Sequence, residues 1–315
     1  MKVILRCLSI IVVLSLTACA SVQQGPATRT TQLQGVQSVV ASGPMHLKVT
    51  AGNRASTLKT IVNQSLRQNV SADVKNGTLY ISGSTGWSRD ATSAVVEVNL
   101  QTLKDLSVNK TTSVCVQALA PMRTNFSAIS ANDIDIRGAF MMPNFTLDQV
   151  ARFYMKGYID LGNVHLVDAD QVNIVGLQSG AMNITQQGGG SVDMHGYSNV
   201  TNVDQMGSAE LNLFWSNSQM VRVNLSGSAK LNIAGVTKKI VVHATNSSQL
   251  NARYLIAKVA YVRVDDSVIA NVFASHKLFA QAADRSQVHY YGWPKLLESY
   301  PEDSGVIIGL TRQAK

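Results

Sequence analysis

Residues 172–194 read VNIVGLQSGAMNITQQGGGSVDM. They hold three apolar–polar–apolar triplets: Val172-Asn173-Ile174, Met182-Asn183-Ile184 and Val192-Asp193-Met194. A period of two puts the flanking residues on one face and the central residue on the other, the pattern of a half-buried strand. Gly, Ser and Gln fill the gaps, as turns require. The same beat extends in both directions. Before it stand Ile134-Asp135-Ile136, Phe145-Thr146-Leu147, Phe153-Tyr154-Met155 and Val164-His165-Leu166. After it stand Leu211-Asn212-Leu213, Val221-Arg222-Val223, Leu231-Asn232-Ile233, Leu250-Asn251-Ala252, Ala270-Asn271-Val272 and Val288-His289-Tyr290. Small residues mark a second phase: Gly207-Ser208-Ala209, Gly227-Ser228-Ala229, then Ser247 and Ser267.

Two triplets per turn of about 20 residues give a unit that cannot cover its own apolar face, whereas stacked turns can. The expected fold is all-β, a parallel β-helix or β-solenoid over 109–293, preceded by a smaller strand-rich section over 36–108. An antiparallel sandwich with regular hairpins is the competing arrangement, since it also places strands every 8–12 residues. In the front section, Met45-His46-Leu47-Lys48-Val49 and Ala94-Val95-Val96-Glu97-Val98-Asn99-Leu100 alternate, and Asn76-Gly77 signals a type I′ hairpin. A single helical turn fits 65–69 and an exposed loop fits 83–93. Residues 294–315 read as a C-terminal cap or tail.

The chain has 315 residues, 45% hydrophobic and 15% charged, which excludes a multi-span membrane protein and a disordered tail. Three cysteines exclude a disulfide-dense scaffold. Lys2 and Arg6 precede an apolar run at 7–16 that is short for a bilayer span, and Leu16-Thr17-Ala18-Cys19 follows. This resembles the bacterial lipoprotein signal. The resemblance implies removal of residues 1–18, a lipid on Cys19 and a membrane as partner through that lipid. Ala20, where an inner-membrane retention signal would place Asp, points to the outer membrane. Residues 19–35 read as a flexible tether. Cys115, in Ser113-Val114-Cys115-Val116, reads as a buried inert thiol.

The mature chain from about 36 to 293 resembles the family named "putative auto-transporter adhesin, head GIN domain". The residues that carry the resemblance are Val49-Thr50-Ala51-Gly52, Asn76-Gly77-Thr78-Leu79-Tyr80-Ile81 and Leu103-Lys104-Asp105-Leu106-Ser107-Val108. The Gly-Ser-Ala phrases at 207 and 227, and Val288-His289-Tyr290-Tyr291-Gly292-Trp293-Pro294, complete it. It implies a surface or envelope β-helical protein with no established enzyme activity.

Chemistry is sparse along the chain. Asp148 falls one turn before Asp168, with Asp170 two residues on and Asp193 and Asp204 beyond, so a carbohydrate-active β-helix enzyme (polysaccharide lyase or hydrolase) is the alternative function. Aspartates also favour turn corners, and that reading is preferred. The histidines show no metal-ligand spacing, and His165 and His289 take outward central positions. No cofactor or metal site is expected, and Gly188-Gly189-Gly190 is a corner rather than a phosphate cradle. Asn173, Asn183, Asp193, Asn202 and Asn212 should form side-chain ladders on two faces, alternate members stacking. Phe214-Trp215, Tyr197 and Trp87 could add aromatic platforms for a glycan or an envelope protein; Trp215 could equally plug the core. Lys238-Lys239 is the one obvious basic doublet. Without clustered Arg and Lys the chain does not read as a nucleic-acid binder, and attraction to anionic lipid or polysaccharide is weak. The expected function is a non-catalytic cell-envelope lipoprotein whose solenoid offers a surface for adhesion or for protein or glycan interaction.

Overall fold

The structure is a computed structural model that describes residues 27–62, 69–84 and 94–310. Among them there is no helix. The front of the chain gives β1 (Ala27–Gln32), β2 (Ser38–Ser42), β3 (Met45–Ala51), β4 (Thr57–Val62), β5 (Asn69–Lys75), β6 (Thr78–Ser84) and β7 (Ala94–Leu100). Then come β8 (Asp105–Asn109), β9 (Ser113–Ala118), β10 (Met122–Arg123) and β11 (Asn125–Ile129). Eight long strands follow: β12 (Asp133–Asp148), β13 (Arg152–Val167), β14 (Gln171–Gly188), β15 (Ser191–Gly207), β16 (Glu210–Gly227), β17 (Lys230–Ala244), β18 (Gln249–Val264) and β19 (Ile269–Ala282). The chain closes with β20 (Gln287–Tyr291), β21 (Leu296–Pro301) and β22 (Val306–Gly309).

Each long strand is nearly a whole coil and pairs in parallel with the next. Asp133 lies opposite Arg152, Arg152 opposite Gln171, and Gln171 opposite Ser191. The molecule is thus a parallel β-solenoid of about 11 turns with about 19 residues per turn. Parallel pairing of neighbouring coils removes the sandwich alternative. The two triplets expected in each turn are both present, fused into one bent strand: β13 contains Phe153-Tyr154-Met155 and Val164-His165-Leu166.

The core is a set of apolar columns that run through the stack. Ile134, Phe153, Val172, Val192, Leu211, Leu231, Leu250, Ala270 and Val288 share one column, and all are buried. On the facing side, Phe145 stacks on Phe126 at 5.7 Å and meets Phe153 edge-on at 5.1 Å. Burying such side chains against neighbouring coils, at about 1.5–3 kcal/mol each, drives the stacking. One column is interrupted: Leu166 is followed by buried Gln186 and Gln205, whose amides pair at 3.1 Å before Leu225 resumes it.

The turns set the beat. Lys110, Ser130, Gln149, Asp168, Gly188, Gly207, Gly227, Asn246, Asp266, Asp284 and Asp303 all have left-handed backbone, one per coil. That conformation costs an ordinary side chain about 1–2 kcal/mol, and Gly, Asn and Asp bear it best. The Gly-Ser-Ala phrases are this corner followed by a fully buried Ala209 or Ala229.

Front strands β2 and β3 belong to the same stack, whereas β1, β4 and β5 pair antiparallel at its end. β2 pairs in parallel with β8, and β3 with β9. Asn76 and Gly77 both have positive φ and join β5 to β6 as the expected hairpin. The edge strands at this end, β1 and β5, are polar and exposed, and Lys75 meets Asp73 at 2.9 Å. That ammonium holds the Asp73 carboxyl below its ordinary value. Exposed charge on an edge strand discourages pairing with another chain.

Two expectations are corrected. Residues 27–32, assigned to a flexible tether, form β1 against β4, because threonine-rich alternation supplies a strand that the exposed edge can bind. Cys115 is exposed, not buried. It is the central residue of its triplet, so Val114 and Val116 take the inward face and the thiol points out between Lys48 and Asp135. The lipoprotein-signal residues, Cys19 and Ala20 included, and Trp87 lie outside the described residues, as does most of the helical turn and of the loop read at 65–69 and 83–93.

Candidate functional site

Three of the five acidic residues singled out in the sequence, Asp168, Asp193 and Asp204, hold neighbouring coils through hydrogen bonds. The Asp168 carboxylate sits at a left-handed corner and accepts the Gly189 N–H at 3.1 Å. Asp193 accepts from Asn212 at 2.8 Å, and Asp204 accepts from both Asn202 and Asn224. Asp148 faces outward opposite Val167, and Asp170 is exposed at the start of the next coil. A polar hollow of about 520 Å³ is lined by Asp133, Arg152, Tyr154, Asn173 and Asp193. Its two carboxylates belong to coils three steps apart, about 14 Å along the axis at the usual strand spacing. Paired carboxylates in glycosidic chemistry stand about 5–9.5 Å apart. Among the described residues, no group of three His, Cys, Asp or Glu could hold a metal ion. His165 is exposed, and His289 is half-buried with Nδ1 3.4 Å from Asn271 Oδ1.

The ladders form on two faces as alternation requires. On the first, Asn173, Asp193, Asn212, Asn232, Asn251 and Asn271 stack. Asn232 donates to Asn212 at 2.7 Å and accepts from Asn251 at 3.1 Å. On the second, Asn144 donates to Asn125 at 3.1 Å, Asn163 to Asn144 at 3.3 Å and Asn183 to Asn163 at 3.3 Å. Asp105 ends this ladder, accepting from Asn125 and from Ser38. Amides that satisfy one another along the axis hold adjacent coils in register.

The surface changes character at the second corner of the coil. Gly138, Gly157, Gly176, Gly196 and Gly235 occupy it with positive φ. A side chain at Gly157 would overlap the Gly138 carbonyl oxygen of the coil below, so the corner admits no Cβ there. Between Gly196 and Gly235 the same beat carries Trp215, with φ +67°. A bulky residue in this conformation is strained. The register is irregular on both sides of Trp215: towards the coil below, His195 opposes Phe214 and Ser198 opposes Ser216, so Trp215 alone faces Gly196 and Tyr197, and towards the coil above, Phe214-Trp215 stand against Ala234 alone. The indole turns outward and is 66% exposed, so it does not plug the core.

Around it lie Tyr197, Phe214, Val236, Tyr254 and Ile256, all exposed, which bound a groove of about 550 Å³ with Asn217. Phe214 is fixed by stacking on His195, with centroids 4.8 Å apart. The Arg253 guanidinium covers the Tyr254 ring at 4.6 Å. No charged side chain lines the groove. Its rim holds tyrosine hydroxyls, an indole N–H and the Asn217 amide, so flat apolar faces are edged by hydrogen-bonding groups. The structure thus brings together Tyr197, Phe214 and Trp215, the aromatic residues singled out in the sequence. Val236, Tyr254 and Ile256 were not singled out. The available signal was the 20-residue spacing of Val236 and Ile256, two apolar residues on the outward side of the beat.

A family model described as "Putative auto-transporter adhesin, head GIN domain" matches residues 36–213 and 195–294. Among solved structures, a "putative adhesin" from Parabacteroides merdae is 12% identical, with 91% of this chain and 96% of that chain covered and a TM-score of 0.40. A "putative adhesin" from Parabacteroides distasonis is 15% identical, covering 91% and 98%, with a TM-score of 0.38. A "Putative lipid binding protein" from the same species is 16% identical, covering 91% and 97%, with a TM-score of 0.32. No curated protein matches.

Proposed function

The chain belongs to the auto-transporter adhesin head GIN domain family, and from that premise we propose that it is a non-catalytic, adhesin-like protein of the cell envelope, held by a lipid on Cys19, whose solenoid engages glycans through its aromatic corner. The observation that carries the reading is Trp215: an exposed indole on strained backbone, ringed by Tyr197, Phe214 and Tyr254, where neighbouring coils have glycine. Backbone strain at an exposed aromatic residue adds nothing to the core and points to use of its face. A sugar ring lays its C–H face on such a platform and its hydroxyls reach the polar rim. The family name supports the adhesive role, and the sequence of residues 1–20 supports the anchor.

Cells carrying the full chain should bind a glycan array in a manner lost when Trp215→Gly and Tyr254→Ala are combined. Undiminished binding by that variant would remove the aromatic corner as the site. Separately, Cys19→Ser should move the protein from the membrane to the soluble fraction, and unchanged membrane association would overturn the anchor.

A further inference from the structure

Beside the aromatic groove the stacking assembles a row of cations that is dispersed in the sequence. We propose that Lys238, Lys239, Lys258, Lys277 and Lys295 form a track for an acidic polysaccharide laid along the solenoid axis. This rests on the glycan reading of the aromatic corner and names the class of glycan.

The register places the row. Thr237 pairs with Ala257 and Lys239 with Val259, so Lys238 lies opposite Lys258. Val259 in turn pairs with Lys277, and the Lys295 N–H bonds the His276 carbonyl. Four successive segments of the stack therefore present ammonium groups along one side, stepping by about 4.8 Å per coil. Like charges placed opposite one another on adjacent strands are destabilising. None of the five lysines is in an ion pair among the described residues, whereas five other cations are: Lys59, Lys75, Arg137, Arg152 and Arg263.

The carboxylates of these same coils are engaged elsewhere. Asp265 pairs with Arg263, and Asp266 and Asp284 accept backbone N–H groups at the left-handed corner. Glu298 borders the row, in the column of Tyr261 and Phe279, and accepts from the Tyr300 hydroxyl at 3.4 Å. Lys239 is held in place: its Nζ lies 4.4 Å from the centre of the Tyr261 ring, which stacks on Phe279 at 4.6 Å.

The row and the groove are one surface. Val236 and Ile256 line the groove, and Lys238 and Lys258 follow two residues later on the same outward face, with Thr237 and Ala257 turned inward between them. A ligand fitted to both has rings for the aromatic corner and negative charge for the row. The cations fill two adjacent columns, Lys238 and Lys258 in one and Lys239 and Lys277 in the other, a narrow strip along the axis that a linear polyanion matches better than a plane of headgroups. Lysine, a point charge with three donors, suits carboxylate, sulfate or phosphate substituents alike.

The test uses the full chain in detergent micelles with three immobilised polymers: dextran, dextran sulfate and polygalacturonate. The two acidic polymers should bind in about 0.15 M salt and be released at about 1 M, where screening shortens from about 8 to 3 Å. Replacing Lys238, Lys258 and Lys277 together by Gln should weaken that binding about tenfold, since each exposed charge contributes modestly. It should not lower the thermal transition, since it removes like charges that face one another across adjacent strands. Dextran bound as well as dextran sulfate, through Trp215 and regardless of the lysines, would overturn the acidic track while leaving the aromatic corner standing. Salt-dependent binding lost in the lysine variant but unchanged in Trp215→Gly would keep the track and remove the corner. Retention on none of the three polymers would overturn the proposal.

Discussion

Trp215 shows how one residue separates stability from use. Its backbone is left-handed at a corner that glycine fills in the coils on either side. Its indole is largely in water, so little burial offsets the strain. Trp215→Gly should therefore raise stability by about 1–2 kcal/mol, the size of the left-handed penalty. Chemical denaturation measures it, and a lower midpoint would mean that the indole packs more than its exposure indicates. Cys115 makes the opposite point. Apolar neighbours suggested burial, yet in a strand it is parity and not company that settles direction, and Val114 and Val116 take the inward parity. The outward parity of Cys115 was readable from the triplet itself.

Within a coil, the polar side of the strand is as ordered as the apolar side. Alternation made Asn173, Asp193 and Asn212 of the first ladder and Asn183 of the second legible, whereas Asn125, Asn144 and Asn163 were not read from the sequence and Asn202 donates to Asp204 instead. Donor and acceptor roles within the ladders were not legible, because these depend on which amide lies directly above. Asn232 sits inside a ladder, donating to Asn212 and accepting from Asn251. Asn232→Ala should cost about 1–2 kcal/mol, two exchanged hydrogen bonds with one neighbour left half-buried and short of a partner. A stability change below a few tenths of a kcal/mol would show that water replaces the ladder freely. Asn224 sits at the outer surface, where such replacement is easier, and is the natural control.

For the molecule as a whole, stability is close to a sum over coils and their contacts. Residues 152–170 make one full turn, since Asp133 stacks on Arg152 and Arg152 on Gln171. Joining Ala151 to Gln171 should give a folded solenoid one coil shorter, with a denaturant m-value lower by about a tenth, as expected for one of about 11 turns. Loss of the cooperative transition would mean that this coil, with Phe153 against Phe126 and Phe145, nucleates the rest. The amino-acid sequence by itself determined the alternating strands, the turn residues and the repeat near 20, because each is a local pattern that every coil states again. Only the tertiary structure decided that β1 pairs antiparallel with β4, that Tyr254 and Ile256 join Trp215, and that Lys258, Lys277 and Lys295 gather beside the Lys238-Lys239 doublet. Those residues are about a coil apart in the chain. They become neighbours through the residue count of each turn and the bulges at its corners, which are set by how one coil packs on the next and not by any pattern within a single coil.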